Sequence, residues 1–195
     1  MSGFAGISVP ADVISAAQRG CREAHAEIFR RSADAVFTLA RRLVVDPAKA
    51  EDVLQETFIE VMRSIGGFRG DAAFATWLRH VAVSKALMLL RSSWERRRDT
   101  LPDNDRLAAV AESDPLVDRA LVGALESLDS ASRAVVWLYD VEGYTHVEIA
   151  AMMNKSVSYS KSRLARAHVA LRERLQSKAG MSPATQETNV VTCFD

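Results

Sequence analysis

Two cysteines, Cys21 and Cys193, are all that 195 residues contain, and they stand far apart without metal-ligand spacing. Such a pattern argues against a disulfide framework or a cysteine-bound metal and fits a reducing compartment. No apolar run approaches the roughly 20 residues that a bilayer needs, although 48% of the chain is hydrophobic. The N-terminus lacks a basic segment followed by an apolar core, so no signal peptide is expected. Membrane insertion is therefore not expected, and the cytoplasm is the expected location. Catalytic constellations are missing as well. His25, His80, His146 and His168 fall on different predicted helices, and no nucleophile-and-base pair or metal-ligand cluster accompanies them. Gly66-Gly67-Phe68-Arg69-Gly70 lacks the preceding strand and the spacing of a phosphate-cradling loop. No catalytic residue, metal or cofactor is expected.

Net charge is absent too, but only as a sum: the formal value is +0. Residues 46–60 carry −4, residues 79–98 carry +5, residues 99–118 carry −5 and residues 155–178 carry +6. Two basic blocks separated by acidic ones point to two nucleic-acid surfaces and at least one basic protein partner.

What is present is mostly helical periodicity. Residues 10–19 predict a short helix ending at Gly20, and residues 22–45 a second one. Cys21, at its start, reads as a small residue between helices. Asp46 and Pro47 mark a third start, since Asp accepts from orphan amides and Pro is pre-set for a first turn. Leu54, Phe58, Val61, Met62 and Ile65 then form the expected core stripe, with Asp52, Gln55, Glu56 and Ile59 on the far side. The glycines at 66, 67 and 70 stop this helix, and Asp71 is expected to cap the next. There Phe74, Leu78 and Val81 line one side with Trp77 at its edge. Residues 99–114 read as an acidic linker with weak periodicity, either a plain tether or a segment that lies over a basic DNA-binding surface.

The second half predicts helices over 118–127 and 131–139, with Asp129 and Ser130 as caps between them. Thr145-His146-Val147-Glu148 is a capping box, in which the hydroxyl and the carboxylate each satisfy an amide at the helix start. Asn154 stands where a left-handed turn is expected, and Ser156 caps a final helix reaching about residue 176. Short helix, tight turn and long basic helix predict a helix-turn-helix. On the last helix Val157, Ser160, Leu164, Leu171 and Leu175 are expected inside. Tyr159, Ser162, Arg163 and Arg166 are expected outside, Lys161 on the shoulder, and His168 on the core side. The expected fold is all-α: two small helical domains, residues 10–98 and 115–177, a flexible acidic linker over 99–114, and a tail over 178–195. The apolar end of that tail, at 190–195, is either a disordered tail or a plug for a partner groove.

Three motifs carry a resemblance: residues 50–58 (AEDVLQETF), residues 68–78 (FRGDAAFATWL) with the basic helix after them, and residues 124–175 with the helix-turn-helix. They stand in the order found in bacterial RNA polymerase sigma factors of the extracytoplasmic-function group, and the resemblance covers about residues 10–177. It implies a subunit that binds core RNA polymerase and directs it to specific promoters. The acidic helix would dock on the polymerase clamp through Asp52, Gln55, Glu56 and Ile59. Phe68, Arg69, Trp77, Ser84, Lys85, Met88 and Arg91 would read the promoter element nearest the transcription start. The family usually has an Asn and then an Asp or Asn in the pocket for a flipped base, at the positions of Ser84 and Met88. Lys85 falls on the apolar stripe and is expected to snorkel toward backbone or DNA. Ser156, Ser158, Tyr159, Lys161, Ser162, Arg163 and Arg166 would read the upstream element. Ser160 replaces a usual aliphatic residue. Partners implied are core polymerase and promoter DNA; an anti-sigma factor is left open, since no motif demands one. A stand-alone helix-turn-helix regulator is the other reading, but it gives the acidic face no role.

Overall fold

The computed structural model of the protein describes residues 3–98 and 119–179; the acidic linker and most of the tail lie outside them. Eight α-helices follow one another among the described residues. The first group comprises α1 (Ala11–Gln18), α2 (Arg22–Val44), α3 (Pro47–Ser64) and α4 (Phe74–Arg98). The second comprises α5 (Arg119–Glu126), α6 (Ser130–Val136), α7 (His146–Met153) and α8 (Val157–Ala179). No strand occurs among the described residues.

The ends of the helices follow local chemistry. Gly20, at φ 85, turns the chain between α1 and α2. Asp46 accepts from the Ala48 amide at 3.0 Å and opens α3 ahead of Pro47. Between α2 and α3 only Val45 and the cap Asp46 intervene: Val45 has a φ of 64, and the Asp46 amide donates to the Val44 carbonyl at 2.7 Å. This is a γ-turn, which a β-branched residue occupies only under strain. It folds α3 directly back on α2.

The core of the first group is built from Ile28, Val36, Leu39 and Leu43 of α2, Val53, Phe58 and Val61 of α3, and Leu78, Val83 and Leu87 of α4. Each large aliphatic side chain buried there contributes about 2 kcal/mol. The buried stripe of α3 differs from the expected one. Ala50, Val53 and Thr57 belong to it, Leu54 is half-buried, and Met62 is 53% exposed. Thr57 sits inside because its hydroxyl donates to the Val53 carbonyl at 2.6 Å, so a polar residue fills a core position that apolar counting skips.

In the second group the capping box forms as expected. Thr145 Oγ1 accepts from the Glu148 amide, and Glu148 accepts from the Thr145 amide at 2.8 Å. Asn154 adopts φ 52 and ψ 51, and Ser156 Oγ accepts from the Tyr159 amide at 3.1 Å, which completes the helix-turn-helix. The chain leaves α6 through a π-helical turn, Trp137–Val141, closed by the Glu142 amide on the Trp137 carbonyl at 3.1 Å.

The two groups pack against each other, chiefly α2 and α4 against α6 and α7. Arg133 of α6, a buried residue, points Nε and Nη2 at the Leu43 carbonyl, both at 3.4 Å, near the end of α2 where carbonyls lack helical partners. Arg79 of α4 donates to the Glu142 carbonyl at 3.2 Å and lies 3.5 Å from its carboxylate, whose other oxygen accepts from Trp137 Nε1 at 3.2 Å. Tyr144 lies edge-on to His80 at 5.1 Å, its hydroxyl 3.3 Å from His80 Nδ1, and Arg79 covers its ring. Burial pushes the Tyr144 phenol up to about 12, so it stays neutral. Burial, aided by the Arg79 charge, also holds His80 below its usual value. Trp94 Nε1 donates to Ser130 Oγ at 2.7 Å at the far end of α4.

Glu142, with its side chain 1% exposed, is the acceptor this contact turns on. Glu142→Ala leaves Arg79 and Trp137 without it and is expected to cost about 2 kcal/mol in urea unfolding. A change below about 0.5 kcal/mol, the range of an ordinary surface substitution, would show that the pair does not hold the groups together.

Candidate protein- and nucleic-acid-binding surfaces

On α3, Asp52, Gln55 and Glu56 lie within one turn and are exposed, opposite the stripe of Ala50, Val53, Thr57 and Val61. Ile59, half-buried, follows on the same side. No ion pair engages Asp52 or Glu56 among the described residues, and as like charges one turn apart they repel by a few tenths of a kcal/mol. Neighbouring acids behave otherwise. Asp46 caps α3 and pairs with Lys49 at 3.5 Å, and Glu60 accepts from Lys85 at 2.8 Å. That hydrogen bond, with the Lys85 charge behind it, holds the Glu60 carboxyl below its usual range. The Asp52–Glu56 side thus presents two acids with no ion-pair partner among the described residues.

The loop between α3 and α4 is pinned from α1. Gln18 Nε2 donates to the Phe68 carbonyl at 2.7 Å and to the Ile65 carbonyl at 3.2 Å. Phe68 packs on Phe74 and Trp77 with ring centroids 5.5 and 5.4 Å away. Arg69 stays exposed and pairs with Asp71 at 3.1 Å. Asp71 is thereby occupied, and the first turn of α4 is carried by the Ala73 carbonyl, which accepts from the Thr76 and Trp77 amides. Along α4 the helical period puts Trp77, Ser84, Met88 and Arg91 on one side; Ser84 is exposed and Met88 is 59% exposed. Lys85 departs from this group. It reaches neither backbone nor solvent but Glu60, because an acid one helix away offers a shorter route out of the apolar stripe.

On α8, Ser158, Lys161, Ser162 and Arg166 are exposed, so Lys161 stands clear of the core shoulder expected for it. Tyr159 is half-buried under Lys155 at 6.0 Å and Arg163 at 5.1 Å. Arg163 is tied down: Nη1 lies 2.6 Å from Asp129 and 3.2 Å from Ser132 Oγ. Burial opposes ionisation of Asp129, but hydrogen bonds from Ser132 and the Arg163 charge outweigh it and keep the carboxyl below its usual value. The inner face runs through Ser160, Leu164, Ala167 and Leu171, whereas Val157 is 36% exposed. Ser160 is fully buried and bonds to His146 Nδ1 at 3.0 Å, with His146 stacked on Tyr139 at 4.4 Å. The hydroxyl thus serves α7 beyond its own helix. His168 is exposed and paired with Asp140 at 2.7 Å, outside the core side expected for it.

Several residues that shape these surfaces carried no periodic signal. Gln18 is a single amide at the end of a short helix. Asp129 read only as a cap, and nothing in spacing ties it to Arg163, 34 residues on. The contacts of Arg79 with Glu142 and of Arg133 with Leu43 exist only once the two groups meet.

Comparison with known proteins agrees with this geometry. The Sigma-70 region 2 family matches residues 28–96, and the Sigma-70 region 4 family matches residues 118–171. RNA polymerase sigma factor CarQ of Myxococcus xanthus is 35% identical over 161 residues, which span 80% of this chain and 91% of CarQ. The ECF RNA polymerase sigma factor SigM of Mycobacterium tuberculosis is 33% identical over 165 residues, 83% of this chain and 82% of SigM. In fold, the chain resembles the sigma factor RpoE of Bartonella quintana, solved in complex with the anti-sigma factor NepR. The TM-score is 0.52 at 21% identity, over 77% of this chain and 96% of that one. The protein belongs to the extracytoplasmic-function group of RNA polymerase sigma factors.

Proposed function

We propose that this sigma factor engages the clamp of core RNA polymerase through Asp52, Gln55, Glu56 and Ile59, and works in the cytoplasm. It reads the downstream promoter element with Phe68, Arg69, Trp77, Ser84, Met88 and Arg91, and the upstream element with the outer side of α8. The carrying observation is the exposed acid of α3: Asp52 and Glu56 repel each other and have no ion-pair partner among the described residues. A basic partner gives that pair a role, whereas a stand-alone DNA-binding regulator gives it none. An anti-sigma factor belongs to the same reading, since the similarly folded RpoE was solved with one.

Asp52→Lys with Glu56→Lys is expected to weaken core binding by at least about tenfold and leave helix content unchanged, because neither side chain enters the core. Co-elution with core polymerase at undiminished affinity would remove the face from the interface.

For the upstream element, Lys161 and Arg166 are exposed cations, whereas Arg163 starts from an intramolecular ion pair. Replacing Lys161 and Arg166 by Ala is expected to lower the log–log salt slope of binding to upstream-element DNA by about two units. An unaltered slope would make the outer side of α8 a merely solvated one.

For the downstream element, Ser84 offers one hydroxyl and Met88 only a thioether to an unstacked base. Converting Ser84 to Asn and Met88 to Asp is expected to change base preference at one promoter position while leaving core binding intact. The same preference profile in both proteins would place these residues outside the pocket.

A further inference from the structure

Between α2 and α3 runs a groove of about 270 Å³, walled by Phe29, Phe58, Val61 and Met62 and bordered by Arg22 and His25. Phe29 and Phe58 meet at 4.7 Å, yet Phe29 remains 44% and Met62 53% exposed. Two large apolar side chains left in water beside a basic border suit an occupant that is apolar with acidic flanks.

The chain contains such an occupant outside the described residues. Residues 180–195 hold no Lys or Arg, two acids (Glu187 and Asp195), and the apolar group Val190, Val191 and Phe194. We propose that the α2–α3 groove is the docking site of residues 190–194 of the same chain, with Phe194 beside Met62 and Phe29 and the flanking acids toward Arg22 and His25. Length permits it. The ten residues from 180 to 189 extend to about 35 Å, and a domain of this size has a radius of gyration of about 16 Å. Tethering raises the local concentration of the segment to about the millimolar range, so a weak apolar contact suffices to populate the docked state.

The cysteines offer a probe already in place. Cys21 is free and half-buried, immediately before Arg22 at the groove, and Cys193 immediately precedes Phe194. Docking therefore brings the two thiols of the chain near each other. Met62 also follows Ile59 by three residues on α3, so the docked segment borders the face assigned above to core polymerase. That consequence rests on the proposed function; the docking does not, and its test uses no polymerase.

The full-length reduced protein is treated with a short bismaleimide and digested for mass spectrometry, and the methionine methyl groups are followed by NMR. An intramolecular Cys21–Cys193 link is expected. It should form about tenfold more slowly in the variant Val190→Ser, Val191→Ser, Phe194→Ser and likewise in Met62→Glu, whose exposed position spares the core. The Met62 methyl signal, assigned with Met62→Leu, should shift in Phe194→Leu, which removes the ring current but keeps the apolar contact. Equal linking rates in all variants would mean random encounter of a tether and overturn the proposal. A link between two molecules would give the groove to a second copy and overturn it equally. If the Cys21 thiol does not react, a Met62 signal unmoved by Phe194→Leu and by the serine variant decides against docking.

Discussion

Glu142 and Arg79 meet across the two helical groups with little water around them, and the mutual placement of those groups depends on that meeting. An ion pair taken out of water recovers its desolvation cost only when further hydrogen bonds satisfy both partners. Here Trp137 donates to the second carboxylate oxygen and Arg79 Nη1 donates to the Glu142 carbonyl while its guanidinium covers Tyr144, which offsets the cost in part, since Arg79 Nε finds no acceptor among the described residues. Arg133 also crosses between the groups, donating to a carbonyl near the end of α2. The contact employs Arg79, His80 and Trp94 of α4, whereas Trp77, Ser84, Met88 and Arg91 lie on a different side. Docking of the groups therefore leaves the outer side of α4 open, as the exposure of Ser84 and Met88 shows.

Several charged side chains elsewhere in the molecule have local partners. Lys85 meets Glu60, Arg163 meets Asp129, His168 meets Asp140, and Glu27 serves both Arg30 and Arg31. Asp52 and Glu56 of α3 have no such neighbour among the described residues, and they stand one turn apart on the same exposed side. The same contrast separates the cations of α8: Lys161 and Arg166 are exposed, whereas Arg163 must exchange a carboxylate for a phosphate before it touches DNA. Exchanging one strong acceptor for another yields less affinity than engaging a solvated cation, but it makes the geometry of the contact more selective.

Helix order, the capping box, the αL turn at Asn154 and the Asp46 start were legible in the sequence because each is decided within a few residues. The far side of α3 was legible for the same reason. Lys85 was not, since its outlet depends on Glu60 from a neighbouring helix. Met62 and Thr57 exchanged places because a buried hydroxyl satisfied within its own turn counts as core, which an apolar tally cannot register. Ser160 behaves alike, with its partner on another helix. The contact between the two groups was invisible altogether: Glu142 and Arg79 are 63 residues apart, and nothing local distinguishes a charge that will be buried from one that will be solvated.

The π-helical turn at Trp137–Val141 amounts to one residue more than an α-helix would use over the same length. Removing a single residue there would let α6 continue in regular α-helical register. Every side chain beyond the deletion would then rotate by about 100° relative to α6. Glu142 would swing away from Arg79, Tyr144 from His80, and the start of α7 would be re-aimed with them. The length of this segment, counted to the residue, therefore fixes the angle at which the helix-turn-helix is presented. Insertions and deletions there should alter promoter spacing requirements before they alter base preference.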